Sequence, residues 1–433
     1  MAPKTPSRIP PRLPLAPLSR SQPERPVAVL DVGTSKVSAL IALIGGDSEP
    51  RVIGSGQKPC SGLKRGAVTD YEKAEMAIRG AMDQAERAAG IQMNSVVGGF
   101  AAGSMASMMA SAEIDIAGAN ITPTDMVTLR QAGRAAIDPR GRTVVHALPA
   151  LYTMDGLVGV ESPLGLHADR LGMDIHVMTA ETPAILNYGR AVGQAHLGVS
   201  ALVASPLAAS LAVLDAEERD IGVALIEIGA GITSIAVHKF GIAVGVATIP
   251  MGSVDITEDI AAAFATRRSG AERLKTFDGA AVATTRDQIE PVIIPPALED
   301  GLSEPVKVPR AALVAVIRTR LGMLFGEIAR ALATLGFVGP QARRIVLTGG
   351  GADLRSIADY AGTYLGCNVR IGRPRGLIGL PQAQEGPAFA TLAGLVLFAA
   401  SDSGDIWHQQ LAGQSNEPRR GLSGVIEKLW GSL

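Results

Sequence analysis

Aromatic side chains make up only 3% of this 433-residue chain. A surface that stacks single-stranded bases needs several of them together, so that class of function is not expected. Cysteine is equally scarce: Cys60 and Cys367 lie far apart and fit no metal-ligand spacing, which suits a reducing compartment such as the cytosol. The formal net charge is only -1, and no block of like charges is long enough to form a basic arm. Nucleic acid is therefore not expected as a partner. Several motifs are missing outright. There is no Gly-Lys dipeptide for a P-loop, no GxGxxG after a strand, no GxSxG elbow and no histidine pair at ligand spacing. The uncharged stretches 88–112 and 191–214 are broken by Gly, Asn, Gln, His and Pro, which argues against a bilayer-spanning helix.

What is present is a hydrophobic share of 47% with 50 glycines, enough for two or more domains whose cores are built from Ala, Val, Leu, Ile and Met. The first 26 residues hold eight prolines and five basic residues without the apolar core of a signal peptide, so a disordered extension is expected there.

Order begins at "PVAVLDVGTSKVSALIALIGG", an apolar run, a small-residue turn and a second apolar run: strand, turn, strand. The pattern returns in "IGVALIEIGAGITSIAVHKFG". Asp31-Val32-Gly33 and Glu227-Ile228-Gly229 occupy matching places, which implies an internal duplication. Between and after the copies, "DYEKAEMAIRGAMDQAERAAG", "TPTDMVTLRQAGRAAI", "SVDITEDIAAAFA", "SGAERLKTFDG" and "RAALVAVIRTRLGMLFGEIARALATLG" read as helices. "RTVVHALPALYTMDG" reads as strand, and "RRIVLTGGGADLRSIADYAGTYLG" as strand, glycine turn and helix. Alternating strands and helices make this an α/β chain.

The turns carry the chemistry. Small residues let successive backbone N–H groups converge on phosphate oxygens, and the hydroxyls of Thr34, Ser35, Thr233 and Ser234 add donors. Asp31 and Glu227 stand where a Mg²⁺ ion, held through water, would offset phosphate charge, and Lys36 can reach the same phosphates as a point charge. Gly349, Gly350 and Gly351 follow a strand and offer backbone flat enough for a purine ring. Together, in this order, these three elements resemble the nucleotide-binding plan of the actin-like ATPases, in which two duplicated halves clamp a nucleotide.

Over about residues 27 to 400, and again at its terminus, the chain resembles the FtsA family of actin-like bacterial cell-division proteins. "LDVGTSKVSALI" and "IEIGAGITSIAV" are similar to that family's two phosphate motifs and "VLTGGGADL" to its adenosine motif. "VVHALPALYTMDG" with "SPLGLHADRLGMDIHVMT" resembles its inserted subdomain, and "SGAERLK" its nucleoside-contacting helix. The resemblance implies an actin-like ATPase fold of two duplicated halves around a nucleotide cleft. It adds Ala230, Gly231, Ile232, Asp353, Glu272 and Lys275 to the ATP-contacting residues, and Arg318 and Arg320 as partners for an acidic FtsZ tail. The implied segments are a first half at 27–103, an insert at 104–180, the first half again at 181–217, and a second half at 218–375 with a small outer subdomain at about 262–335. A return to the first half at 376–400, a flexible linker at 401–420 and a terminal helix at 421–433 complete it. The family usually has Asp where Glu227 stands and Gly where Ala230 stands. A longer carboxylate and an added Cβ shift the region that positions attacking water, and "SPLAASLAVL" offers no Gln or acid for that task. With Glu227 the one residue assigned a catalytic part, slow ATP turnover at most is expected.

At the terminus, "RRGLSGVIEKLWGSL" places Leu422, Val425, Ile426, Leu429, Trp430 and Leu433 in an arc of about 140 degrees. Twelve residues span about 18 Å, too short for a hydrocarbon core of about 30 Å, so such a helix lies in the interface with Arg419, Arg420 and Lys428 near anionic lipid. The alternative is a helix docked on its own domain. The function that the resemblance implies is an ATP- and Mg²⁺-binding protein that self-assembles, meets later division proteins and ties the FtsZ ring to the cytoplasmic face of the inner membrane at the septum. A sugar kinase on the same fold and a pilus-assembly actin relative are the alternatives. The first would need a substrate base, which no residue here offers, and the second would lack the insert.

Overall fold

The computed structural model describes residues 23–46, 48–102, 105–296, 305–339, 342–401 and 404–407. A hairpin of β1 (Arg25–Val32) and β2 (Lys36–Ile44) is extended antiparallel by β3 (Arg51–Pro59). Val29, Leu30, Leu40 and Ile41 are all fully buried, neighbours on opposite faces, because packing covers both sides of the sheet. A short hairpin, β4 (Leu63–Lys64) and β5 (Ala67–Val68), leads into α1 (Tyr71–Ala89). Asp70 caps that helix by accepting from Lys73 N, and Gly90 ends it at φ 70°. Its stripe of Ala74, Ala77, Ala81 and Ala85 is buried; Ala81 and Ala85 lie on β3, where Gly54 and Gly56 allow the backbones to touch, and Ala74 lies against Gly62. β6 (Ser95–Phe100) then pairs parallel with β1.

An inserted unit follows: β7 (Ala106–Asp115), α2 (Pro123–Ala135), β8 (Thr143–Met154), β9 (Leu157–Val160) and β10 (Arg170–Ala180), with strand order β7-β10-β8-β9. The Thr122–Asp125 capping box starts α2, and Leu129, Leu171, Met173 and Ile175 form a core of its own. α3 (Thr182–Gln194) brings the chain back, and β11 (Gly198–Ala204) completes the first sheet as β3-β2-β1-β6-β11. α4 (Ser205–Val213) and α5 (Ala216–Ile221) lead to the second half.

There β12 (Val223–Ile228), β13 (Thr233–Lys239) and β14 (Ile242–Ile249) repeat the opening three strands. α6 (Ser253–Ala263), α7 (Arg268–Phe277), the pair β15 (Pro291–Ile294) and β16 (Val306–Pro309), and α8 (Arg310–Thr334) build an outer unit. β17 (Arg344–Thr348), α9 (Ile357–Leu365) and β18 (Asn368–Ile371) close the second sheet as β14-β13-β12-β17-β18. Its order matches the first strand for strand, as duplication requires. α10 (Ala390–Ala400) returns to pack on α4, where Gly394 lies against the Ala208 carbonyl with no room for a methyl.

One segment differs from the expected linker at 401–420. Ile406 is 4% exposed in the insert's core, its N–H donates to Ala147 O at 3.0 Å, and the Arg134 guanidinium lies 4.7 Å over the Trp407 ring. Asp405 accepts from Ala147 N at 3.2 Å and pairs with the buried His146 Nδ1 at 2.7 Å. The chain therefore stays fastened to the insert through Trp407. The first 22 residues and the segment expected to form a terminal helix, with Leu422, Val425, Ile426, Leu429, Trp430 and Leu433, lie outside the described residues. No described helix is long and apolar enough to cross a membrane.

Candidate functional site

Both hairpin turns open onto one cleft, a cavity of about 360 Å³ between the halves. The turns share one backbone solution. Gly33 N–H donates to Lys36 O at 3.0 Å, and Gly229 N–H to Ile232 O at 2.8 Å. A Cβ added at either glycine would fall 3.0 or 2.8 Å from the same carbonyl oxygen, so only glycine closes these turns without a shift. The second turn is braced further. Ser253 N and Val254 N, at the start of α6, donate to Gly229 O and Ala230 O at 2.9 Å each, and the Asp255 carboxylate caps the same start from Gly252 N at 2.7 Å.

Two carboxylates stand at the cleft floor. Asp31 ends β1 and Glu227 ends β12, each one residue before the last of its strand. Desolvation raises Asp31 to about 6, with Lys36 pulling the other way. Desolvation also raises Glu227 to about 7; the Thr391 hydroxyl, which donates to Glu227 Oε1, opposes the rise and the nearby charge of Asp31 adds to it. The Lys36 ammonium sits 3.5 Å above the Phe389 ring, and burial lowers its pKa against the fields of Asp31 and Asp353. On the far wall Lys275 Nζ donates to Ser253 O at 3.1 Å, Thr257 Oγ1 at 2.8 Å and Glu272 Oε2 at 2.8 Å. This network holds α7 to α6 before any ligand arrives.

The cleft brings together Asp31, Gly33, Thr34, Ser35, Lys36, Glu227, Gly229, Ala230, Glu272, Lys275, Gly349, Gly350, Gly351 and Asp353. It does not include the rest of the second turn. Gly231 packs toward Thr34 and Arg65, and Ile232 is 7% exposed. Thr233 and Ser234 correct the expectation of phosphate donors: both are buried, and the Thr233 hydroxyl donates to Met251 O at 2.9 Å. Arg320 is also otherwise engaged. It makes a bidentate pair with Asp259 at 2.7 and 2.6 Å, linking α8 to α6, whereas Arg318 is exposed. Sequence reasoning missed Ser253, Ile256, Thr276, Leu354 and Ala388 on the cleft wall and Thr391 behind it. The Gly252-Ser253 start of α6 carried a usable signal, a bare glycine where two backbones meet.

The residues suit a nucleotide and a hydrated cation. Gly350 faces space in which an added Cβ would have only Ala388 Cβ as a neighbour, at 3.7 Å, so its backbone is open to a flat ring. Among the described residues no group of three or more His, Cys, Asp or Glu is placed to hold a metal alone. A cation at Asp31 and Glu227 would need phosphate oxygens and water to complete its shell, which is the habit of Mg²⁺.

Comparison with known proteins agrees with this architecture. Residues 224–394 match the family model "Cell division protein FtsA", and residues 102–179 match "SHS2 domain inserted in FTSA". The chain is similar to the cell division protein FtsA of Rhizobium meliloti, 36% identical over 399 residues that cover 90% of this chain and 89% of that protein. It is 30% identical to the cell division protein FtsA of Pseudomonas aeruginosa, covering 92% of this chain and 95% of that one. For that of Escherichia coli the identity is 30%, covering 86% and 89%. Among solved structures, it is similar to a chain of a PilM-PilN type IV pilus biogenesis complex with a TM-score of 0.60, covering 88% of this chain and 100% of that one. At 20% identity that likeness speaks for the fold alone.

Proposed function

The chain belongs to the FtsA family of actin-like cell-division proteins, and on that premise we propose that its cleft binds ATP with Mg²⁺ and that the bound protein ties the FtsZ ring to the membrane. One observation carries the nucleotide reading. Two recessed carboxylates from duplicated turns share a cleft with Lys36, opposite a glycine run without side chains. The N–H groups and hydroxyls of Thr34 and Ser35, with Lys36, would bind the phosphates. Asp31 and Glu227 would hold the cation's water shell, and Gly349–Gly351 would carry the base, with Glu272 and Lys275 beside the nucleoside. A divalent cation bound there offsets the charge of the β- and γ-phosphates. Thr391 keeps one Glu227 oxygen occupied, and Ala230 stands in the turn next to it. Both features favour a binding site over fast hydrolysis.

Membrane attachment rests on the amphipathic terminus, and partner attachment on the outer unit. With Arg320 paired to Asp259, Arg318 is the stronger contact for an acidic tail. Equilibrium binding of ATP by wild type and Gly350→Asp tests the cleft. Unchanged affinity in the variant refutes it. Sedimentation with anionic liposomes tests the tail: deletion of residues 419–433 should release the protein without changing its melting temperature. A melting temperature lowered by several degrees would mean that the tail is a packed part of the fold.

A further inference from the structure

Thr391 belongs to none of the motifs that mark the cleft, yet its hydroxyl donates to Glu227 Oε1 across the junction of the halves. Glu227 ends a strand of the second half, and Thr391 opens α10, which packs on the first. The threonine is 2% exposed and its place is tightly set. Gly394, nearly one turn further on, lets α10 lie directly on the Ala208 carbonyl of α4. Gly99 on β6 leaves the space that Thr391 Cγ2 fills, 3.3 Å from where a Cβ would stand. The other acceptor near the hydroxyl is Ser205 O at 3.5 Å, at the limit of a hydrogen bond. The Glu227 carboxyl oxygen is therefore the one that accepts from the hydroxyl. Among the described residues no other side-chain hydrogen bond to Glu227 is made, so this donor is the one polar contact that orients its carboxylate.

We propose that Thr391 is a positioning residue for the nucleotide-bound cation: it fixes the Glu227 carboxylate from behind, across the junction of the halves, leaving the second oxygen for the cation's water shell. The proposal rests on the Mg²⁺–nucleotide reading and adds to it a group from the opposite half. A glutamate left to rotate would spread its charge over several rotamers, and the cation would lose a fixed partner.

The test uses the full-length protein, a fluorescent ATP analogue and calorimetry, with Mg²⁺ or with EDTA. Thr391→Val keeps the volume and removes the donor; Thr391→Ser keeps the donor. Wild type should bind more tightly with Mg²⁺ than without. Thr391→Val should lose most of that gain, on the order of 10-fold, as expected for one hydrogen bond to a charged group. Thr391→Ser should recover it, and affinity in EDTA should be the same in all three proteins. A valine variant with an undiminished Mg²⁺ gain overturns the proposal. So does a loss of equal size with and without Mg²⁺, which is the mark of altered packing, or a wild type whose affinity ignores Mg²⁺. Wild type that binds no nucleotide in either condition overturns the nucleotide reading itself, and the role of Thr391 with it.

Discussion

The turn at Gly33 and the turn at Gly229 close with the same hydrogen bond, from a glycine N–H to the carbonyl three residues on, and the flanking strands keep one register. Their side chains diverge. Where the first turn has Thr34, Ser35 and Lys36, the second has Ala230, Gly231 and Ile232. The first thus brings the Ser35 hydroxyl and the Lys36 ammonium to the cleft beside Thr34, whose hydroxyl accepts from Gly66 N at 3.3 Å, while the second adds only Ala230 and bare backbone. Backbone closure tolerates almost no change, because a Cβ at either glycine meets a carbonyl. The positions between face different surroundings: the open cleft for the first turn, the start of α6 and the loop at Arg65 for the second. Duplication has kept the frame and divided the chemistry.

If the frame is what both turns need, breaking it should have the largest effect. Gly229→Asp puts a side chain against Ile232 O and an anion at the phosphate position, and Gly350→Asp puts an anion into the open space beside Ala388. Both should abolish measurable ATP binding in equilibrium titration. Gly33→Asp should match Gly229→Asp; a variant of either turn with wild-type affinity would break the equivalence of the two.

The next effect should be one-sided. Lys36→Met removes a cation that faces Asp31 and Asp353, and should weaken ATP binding by roughly 10- to 100-fold, the range of a hydrogen bond to a charged group. Ile232→Met, at the corresponding place in the second turn, should leave the affinity within about two-fold, since the residue is buried away from the cleft and the swap conserves volume.

The carboxylates separate the turns by pH. Both are raised in the folded protein, so each holds a proton that the unfolded chain has already released. The stabilisation is complete below the ordinary carboxylate range and is lost as pH rises through about 6 for Asp31 and about 7 for Glu227. These two groups should therefore make nucleotide-free protein melt a few degrees lower at about pH 8 than at about pH 5. Glu227→Gln should remove the upper part of that decline and Asp31→Asn the lower part, in melts followed by circular dichroism. A decline unchanged in both variants would assign it to other groups.

The frame was legible in the sequence because a carboxylate, an apolar residue and a glycine between β-branched runs leave few folds open. Thr233 and Ser234 were misread because spacing alone does not give register. The strand pairing sets Ile228 opposite Thr233 as Val32 is opposite Val37, and Glu227 opposite Ser234 as Asp31 is opposite Ser38. The true counterparts of Thr233 and Ser234 are thus Val37 and Ser38, both buried, and not the turn hydroxyls. Ser253 and Ala388 on the cleft wall, and Thr391 behind it, were hidden for a different reason: segments distant in sequence bring them there, and no local pattern records that. The Asp405–Trp407 clasp was masked by its polar neighbours, although an Ile-Trp pair in such a stretch is apolar surface that needs a partner.

The smallest effect is the most discriminating, because it sets one hydroxyl of each kind against the other. Ser35 is exposed on the cleft, so on the nucleotide reading Ser35→Ala deletes a donor to the phosphates without touching the fold. ATP affinity should fall by a factor of about 3 to 10, the worth of one neutral hydrogen bond, while the melting temperature stays put. Thr233→Val should do the reverse. It keeps the shape, leaves Met251 O without its donor, and should cost about 1 to 3 kcal/mol of stability with no change in affinity. Binding isotherms and denaturant unfolding of the two variants give a two-by-two comparison. A Thr233→Val variant that binds ATP more weakly at unchanged stability would put its hydroxyl back in the phosphate site. The two turns would then share their chemistry as well as their frame, and the division between them would fail.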